Sequence, residues 1–221
     1  MITDRDIEIF KFINKYGKSY IEVLAKTFFS NEQVARNRMN ILAKQNLITY
    51  WSTNLMKPRR AIVLTSDTKS MLENDFDITP RNAKLNRTTI QHNIIEQIVD
   101  FHLSKIGTVE RTTVYTHKEK LHHIPDFIFT NESGNKINIE VELTKKSAPR
   151  YAKLMQLVAK DNPDAIIYVL TSKEKIRPFA TIMPKWHKLF FISIEDLIKN
   201  IDQIGQIKPT SQEQSLFGTP I

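Results

Sequence analysis

The alternation of residue types between positions 122 and 147, HHIPDFIFTNESGNKINIEVELTKKS, constrains the fold of this chain more than any other feature. Two β-prone runs flank a three-residue turn at Glu132, Ser133 and Gly134. Glycine stands at the position where such loops favour left-handed backbone. The segment therefore predicts an antiparallel hairpin.

The register of this hairpin brings acidic residues together. Pairing across the turn sets Asp126 opposite Glu140 and puts the apolar residues of both strands on one face. Because side chains alternate along a strand, Glu142 points to the same side as Glu140. Three neighbouring carboxylates repel one another unless a cation neutralises them, and oxygen ligands favour Mg²⁺ or Mn²⁺ over zinc. The alternative is the solvated side of an edge hairpin.

The amino-acid composition excludes several kinds of catalytic and metal site. The chain has 221 residues, of which 41% are hydrophobic, so it can bury a sizeable core. It has no cysteine, which excludes a thiol nucleophile, iron–sulfur clusters and cysteine-bound zinc. No apolar run approaches the roughly 20 residues that cross a bilayer. We expect a soluble, cytoplasmic protein without a membrane partner.

The first seventy residues read as three helices followed by a hairpin. The first helix is expected to end at Gly17, and the third to begin after Ser30 or Asn31. The third helix should turn Val34, Met39 and Leu42 inward. Residues 31–70 hold seven Lys/Arg against two Asp/Glu, a net charge of +5. Such a concentration suits a polyanion, although a solvated basic face would look the same.

This order of elements resembles the winged helix-turn-helix domain. The resemblance implies double-stranded DNA as the partner, with the third helix in the major groove and the hairpin as the wing. A protein-interaction module on the same fold is the alternative. The implied DNA-binding residues lie on the third helix and the wing: Arg36, Arg38, Asn40, Lys57, Arg59 and Arg60.

The rest of the chain predicts a second domain. Residues 71–88 are polar and predict a linker with at most one helical turn. Residues 89–204 follow the order α, β, β, β, α, β, which predicts an α/β (α+β) core. Residues 205–221 are polar, contain two prolines and predict a flexible tail.

The second domain resembles the PD-(D/E)xK nuclease (restriction-endonuclease-like) superfamily. Pro125, Asp126 and Glu140 carry the motif, but Glu142 stands where that family usually has lysine. The resemblance implies Lys146 as the substitute and Lys145 as the fallback. It also implies a catalytic metal site formed by Asp126, Glu140 and Glu142.

The combination with a winged helix is similar to the plasmid replication-relaxation proteins and the MOBC-type conjugative relaxases. This similarity implies a metal-dependent, site- and strand-specific DNA nickase that acts at a plasmid origin in mobilisation or conjugation. Two alternatives stay open: a non-catalytic plasmid DNA-binding or replication-control protein on the same scaffold, and a restriction- or repair-type nuclease. The sequence does not distinguish between a tyrosine and a metal-activated water as the nucleophile.

Further candidates surround the predicted site. His92 and Glu96 lie four residues apart on one helical face and are possible additional ligands. Tyr115 and Tyr151 are near the site in the chain. The adjacent His122 and His123 should point to opposite faces, which argues against a two-histidine metal site. Phosphate contacts are predicted for Arg111 and Arg150.

The tail contains EQSLF, which resembles the bacterial sliding-clamp binding motif. Gln212, Leu216 and Phe217 would dock on a clamp if that resemblance holds. The alternative is that Leu216 and Phe217 pack back onto the domain.

Overall fold

A computed structural model describes residues 1–112, 117 and 119–206. The contacts within the chain divide it into two compact units, Met1–Ile98 and the part from Val99 onward. The division falls inside a helix, whereas the predicted linker ends at residue 88. None of the described helices has both the length and the apolar character that a membrane crossing requires.

The first unit contains the predicted helices and hairpin, and continues into a further helix. Its elements are α1 (Asp4–Tyr16), α2 (Ile21–Thr27), α3 (Glu32–Lys44), β1 (Ile48–Ser52), β2 (Arg60–Leu64), α4 (Ser66–Phe76), a short 3₁₀ turn (Arg87–Thr89) and the start of α5 (Ile90–Leu103). Strands β1 and β2 pair antiparallel.

Helix α1 is capped at both ends, and its end at Gly17 is the predicted one. Thr3 caps it by accepting from the Asp6 backbone N–H, while the Asp6 carboxylate accepts from the Thr3 N–H at 2.8 Å. Ile9 and Ile13 are fully buried. The helix ends at Gly17, whose φ of 73° is the left-handed conformation that favours glycine.

Helix α3 corrects one prediction. Asn31 is the N-cap, as expected, and its side chain accepts from the Val34 N–H at 3.0 Å. Val34, predicted to be buried, is 42% exposed. The buried stripe consists instead of Ala35, Met39 and Leu42 at helical spacing, so Val34 lies about 100° away from its first member. The smaller Ala35 takes the place at the core.

Helix α4 shows that the prediction of at most one helical turn in the polar segment was wrong. It has 11 residues and begins after Thr65, which accepts from the Thr68 N–H. Thr68 in turn donates its hydroxyl to the Leu47 carbonyl at 2.7 Å. Leu72 is the one fully buried apolar residue of this helix, so a single leucine and a threonine cap anchor a helix whose pattern is mostly polar.

The second unit is built on a mixed five-stranded sheet in the order β3-β4-β5-β6-β7, consistent with the predicted α+β class. The first three strands are antiparallel, and β5, β6 and β7 are parallel. The elements after α5 are β3 (Gly107–Arg111), β4 (Phe127–Asn131), β5 (Lys136–Glu142), α6 (Ala148–Asp161), β6 (Ala165–Leu170), a 3₁₀ turn (Lys173–Lys175), α7 (Ile176–Ala180), β7 (Leu189–Ser193), α8 (Ile194–Lys199) and α9 (Ile201–Gly205).

The hairpin β4–β5 has the predicted register. Phe127 pairs with Ile139 and Phe129 with Ile137. The turn closes through the Gly134 N–H, which donates to the Asn131 carbonyl at 2.9 Å, and Gly134 has the expected left-handed φ of 82°. The hairpin prediction is confirmed in both turn and pairing.

Helices α6 and α7 cover one face of the sheet. Tyr151 and Met155 of α6 and Phe179 of α7 form an apolar cluster with Tyr168 and Phe191 from strands β6 and β7. The Tyr168 and Phe191 rings stack at 5.8 Å, and Tyr151 meets Tyr168 edge to face at 6.4 Å. The acidic end of β5 lies beside this cluster.

Candidate active site and nucleic-acid interface

Asp126 and Glu140 lie opposite each other where β4 begins. Phe127 pairs with Ile139, so continuing the register by one residue sets the two carboxylates side by side. The Val141 backbone N–H donates to Asp126 Oδ2 at 2.7 Å, which holds the aspartate against β5. Burial raises the pKa of Glu140, and the negative charge of Asp126 adds to the rise. The two acids therefore interact, as the sequence predicts.

Glu142, two residues further along β5, has a basic partner. The Lys146 ammonium donates to Glu142 Oε2, and the side chain of Glu142 is only 8% exposed. Tyr151 contacts the same carboxylate oxygen at 3.4 Å, and its hydroxyl accepts from the Lys146 backbone N–H at 3.2 Å. The structure thus brings Lys146 to the acidic residues, whereas Lys145 is exposed.

His123 also belongs to this site, although it was not predicted from the sequence. Its Nε2 lies 2.5 Å from Glu140 Oε1, and both side chains are 15% exposed. The imidazole opposes the effect of burial on the pKa of Glu140. The prediction that His122 and His123 point in different directions agrees with their partners, since His122 contacts Asp161 at 2.8 Å. The sequence argued only against a two-histidine metal site and did not indicate that His123 contacts Glu140.

Asp161, the last residue of α6, fixes the position of His123. Its two carboxylate oxygens accept from the His122 and His123 backbone N–H groups, each at 2.9 Å. Burial alone would raise the pKa of Asp161, but these hydrogen bonds outweigh it and hold that pKa below the usual value. No sequence pattern signals this contact, because the partners are almost forty residues apart.

Tyr168 is a second residue that the sequence did not single out. It pairs with Glu140 across β5 and β6, so their side chains lie on one face of the sheet. The residue is 1% exposed, and its hydroxyl has no hydrogen-bond partner among the described residues. Burial, followed by the charge of Glu140, raises its pKa. A buried hydroxyl beside carboxylates is a polar group for which a bound ligand would provide a partner.

The remaining predicted residues of the site fall into three groups. His92 and Glu96 face each other along α5, with Nδ1 and Oε1 3.6 Å apart, and Glu96 is 5% exposed. Arg111 and Arg150 are exposed. Tyr115 lies outside the described residues.

The basic surface of the first unit joins α3 to the hairpin. The Tyr50 hydroxyl donates to Asn40 Oδ1 at 3.2 Å, and the Arg60 guanidinium lies 5.6 Å from the centre of the Tyr50 ring. Arg36, Asn40, Lys57, Arg59 and Arg60 are all exposed, as predicted. An open depression is lined by Tyr50, Ser52, Leu55, Arg59 and Arg60.

Arg38 has a different position from the other predicted DNA-binding residues. Its Nε donates to Asp6 Oδ1 at 2.9 Å, and a terminal nitrogen donates to Asp6 Oδ2. A further bond of 3.1 Å joins it to the Met1 carbonyl. Asp6 is fully buried. The guanidinium therefore holds α1 against α3, and we assign Arg38 a structural role instead of a DNA contact.

The predicted clamp-binding residues Gln212, Leu216 and Phe217 lie outside the described residues. No protein-family model matches this chain, and neither does any curated protein or solved structure. The candidate function therefore depends on the residues and their geometry.

Proposed function

We propose that this protein is a divalent-metal-dependent DNA endonuclease that nicks one strand of a duplex. The observation that carries the proposal is the register of β4 and β5, which sets the partly buried Asp126 beside Glu140 with the basic group of Lys146 close by. Acidic residues converging at a semi-buried position beside a lysine are the groups that metal-assisted phosphodiester cleavage requires.

The chemical type of the donor atoms suits Mg²⁺ or Mn²⁺. Asp126, Glu140 and Glu142 offer carboxylate oxygens, the ligands that these hard cations prefer, and Tyr168 adds a buried hydroxyl without a described partner. Such an ion would act as a Lewis acid on the scissile phosphate. His92 and Glu96 remain predicted additional ligands.

Side chains of the site would contribute to cleavage directly. Lys146 supplies a positive group that can turn from Glu142 to a phosphate oxygen, because its side chain is 31% exposed. The proposed nucleophile is water instead of Tyr151. That tyrosine is fully buried, and its pKa of about 12 leaves the hydroxyl protonated at neutral pH.

The order of elements supports the two proposed fold assignments. Three helices and a hairpin in the first unit support a winged helix, with α3 and the β1–β2 hairpin as the DNA-binding elements. A helix, three antiparallel strands, a helix and a parallel strand in the second unit support a PD-(D/E)xK-like core. On these assignments the substrate is a plasmid origin, and the activity serves mobilisation or conjugation.

A non-catalytic DNA-binding or replication-control protein is the second candidate. The ion pairs of the site favour it, because His123 contacts Glu140 and Lys146 contacts Glu142. Two of the three carboxylates thus have a basic partner without a metal. Glutamate at position 142, where the nuclease superfamily usually has lysine, also favours a non-catalytic protein.

Plasmid relaxation separates these candidates. Supercoiled plasmids with different mobilisation or replication origins are incubated with the full chain and Mg²⁺ or Mn²⁺, beside Asp126→Asn. Asp164→Asn is a matched control, since Asp164 accepts the Lys136 N–H at 2.8 Å near the opposite end of β5. We expect wild type and the control to yield nicked circles, and Asp126→Asn to be at least about a hundredfold slower.

The products distinguish the alternatives. Absence of relaxation on every origin would favour the regulator, and linear product would favour a restriction-type nuclease. Equal nicking by wild type and Asp126→Asn would mean that the hairpin carboxylates do not catalyse the reaction.

A further inference from the structure

The exposed side of α3 carries two large apolar residues that the core does not use. Val34 is 42% exposed and Ile41 is 45% exposed. They lie seven residues apart, two turns along the same side of the helix, and the exposed Asn37 lies between them. The buried side of α3 is formed by other residues. This stripe of Val34, Asn37 and Ile41 is therefore available to a partner.

The amide in the middle of the stripe is held in place. Gln33 Nε2 donates to Asn37 Oδ1 at 2.9 Å, which fixes the orientation of the Asn37 carboxamide. The Asn37 amide group then remains as a donor, and its oxygen retains a second lone pair. A carboxamide with one donor and one acceptor matches the N7 and N6 edge of adenine in the major groove.

The surroundings of the stripe favour a polyanion. Residues 31–70 have a net charge of +5, and Arg36 and Lys44 of α3 are exposed. The hydrogen bond between Tyr50 and Asn40 connects α3 to the basic hairpin. Charge complementarity thus selects a nucleic acid over a second copy of this basic chain.

We propose that the stripe on α3 reads A·T base pairs in the major groove, with Val34 and Ile41 packing on thymine methyl groups and Asn37 bonding to adenine. The inference depends on the proposed DNA binding by the first unit but not on strand cleavage. It names the base pairs that the protein selects, which the basic surface alone leaves open.

The test compares thymine with uracil, which differ by the C5 methyl group. Random duplexes are enriched for binding to the full chain in EDTA, which prevents cleavage, and each thymine of the selected site is then replaced by uracil. Burying one methyl group is worth about 0.8 kcal/mol, so each contacted thymine should bind about fourfold more tightly than uracil.

Variants assign the contacts. Val34→Ala and Ile41→Ala should each bring the thymine-to-uracil affinity ratio to about one at its own position. Alanine favours helix and both sites are exposed, so the fold should be retained. Phe76→Ala is the control, because Phe76 is 40% exposed on α4 and should leave every ratio unchanged.

Each other outcome has a defined meaning. Duplex binding with equal affinity for thymine and uracil, or a selected site without A·T pairs, overturns the inference and leaves DNA binding intact. A thymine-to-uracil affinity ratio that stays at about four in both α3 variants also overturns the inference. Failure to bind any duplex overturns the proposed DNA-binding function together with the inference.

Discussion

Arg36 and Arg38 are two residues apart on α3, yet the structure predicts opposite consequences for their removal. Arg38→Ala should destabilise the first unit and leave DNA contacts intact. Arg36→Ala should weaken DNA binding and leave the first unit nearly as stable, because Arg36 is exposed and its ion pair among the described residues is with Glu32, at 2.9 Å and four positions away. The pair of variants thus tests whether geometry or sequence pattern identifies a DNA-binding arginine.

The magnitude follows from burial. Arg38→Ala leaves the fully buried carboxylate of Asp6 without its guanidinium. Breaking a buried pair by removing one partner costs about 3–5 kcal/mol. Because the Arg38 side chain is 19% exposed, water can partly replace it, and we expect about 3 kcal/mol. An exposed pair four residues apart contributes about 0.3–0.5 kcal/mol, which is the expected cost of Arg36→Ala.

Urea unfolding measures both values. The chain has two tryptophans, Trp51 in β1 and Trp186 in the second unit, so a Trp186→Phe background reports on the first unit alone. Duplex binding at increasing salt gives the other readout, since losing one phosphate contact lowers the slope by about one. A cost below about 1 kcal/mol for Arg38→Ala, or a lower salt slope for that variant, would refute the structural role.

Three further predictions concern pH, the site and the backbone. Burial alone would raise the pKa of Asp6, but Arg38 and Thr3 outweigh it and lower that pKa. The ionised carboxylate therefore contributes to folding stability above about pH 4, and this contribution is lost as the pH falls through the folded-state pKa. The same pH dependence should be absent from the stability curve of Asp6→Asn. Asp161→Ala should slow plasmid nicking about tenfold without weakening duplex binding, because His123 loses its anchor; unchanged nicking would contradict this. Gly17→Ala should cost about 2 kcal/mol in urea unfolding, since it combines a positive φ with a Cβ 2.7 Å from the Asn82 carbonyl oxygen; a neutral effect would contradict it.

The hairpin was predictable because its information is local. Apolar alternation and one glycine determine which residues pair, and the pairing in turn brings Asp126 to Glu140. The contact of Lys146 with Glu142 is similarly local, since the two residues are only four positions apart in the chain.

His123 and Tyr168 could not be predicted, because both depend on residues distant in sequence. Asp161 holds the backbone beside His123, and Tyr168 meets Glu140 only through the parallel pairing of β5 and β6. His122 and His123 precede β4, so strand alternation does not determine which of them faces the carboxylates.

Helix α4 and Val34 were predicted wrongly for a different reason. Hydrophobic periodicity detects a helix by its apolar stripe, whereas α4 is anchored mainly by Leu72 and by hydrogen bonds at its start. On α3 the periodicity allowed two neighbouring stripes, and the small side chain of Ala35 gave no hydrophobic signal strong enough to displace Val34.

Mn²⁺ binding by the full chain without DNA, followed by electron paramagnetic resonance of the free ion, tests the proposed metal site itself. We expect saturable binding by wild type and Asp164→Asn and no saturable binding by Asp126→Asn, because Asp126 and Glu140 would share the ion. Absence of saturable binding by wild type, or equal binding by both variants, would contradict a metal site in the β4–β5 hairpin.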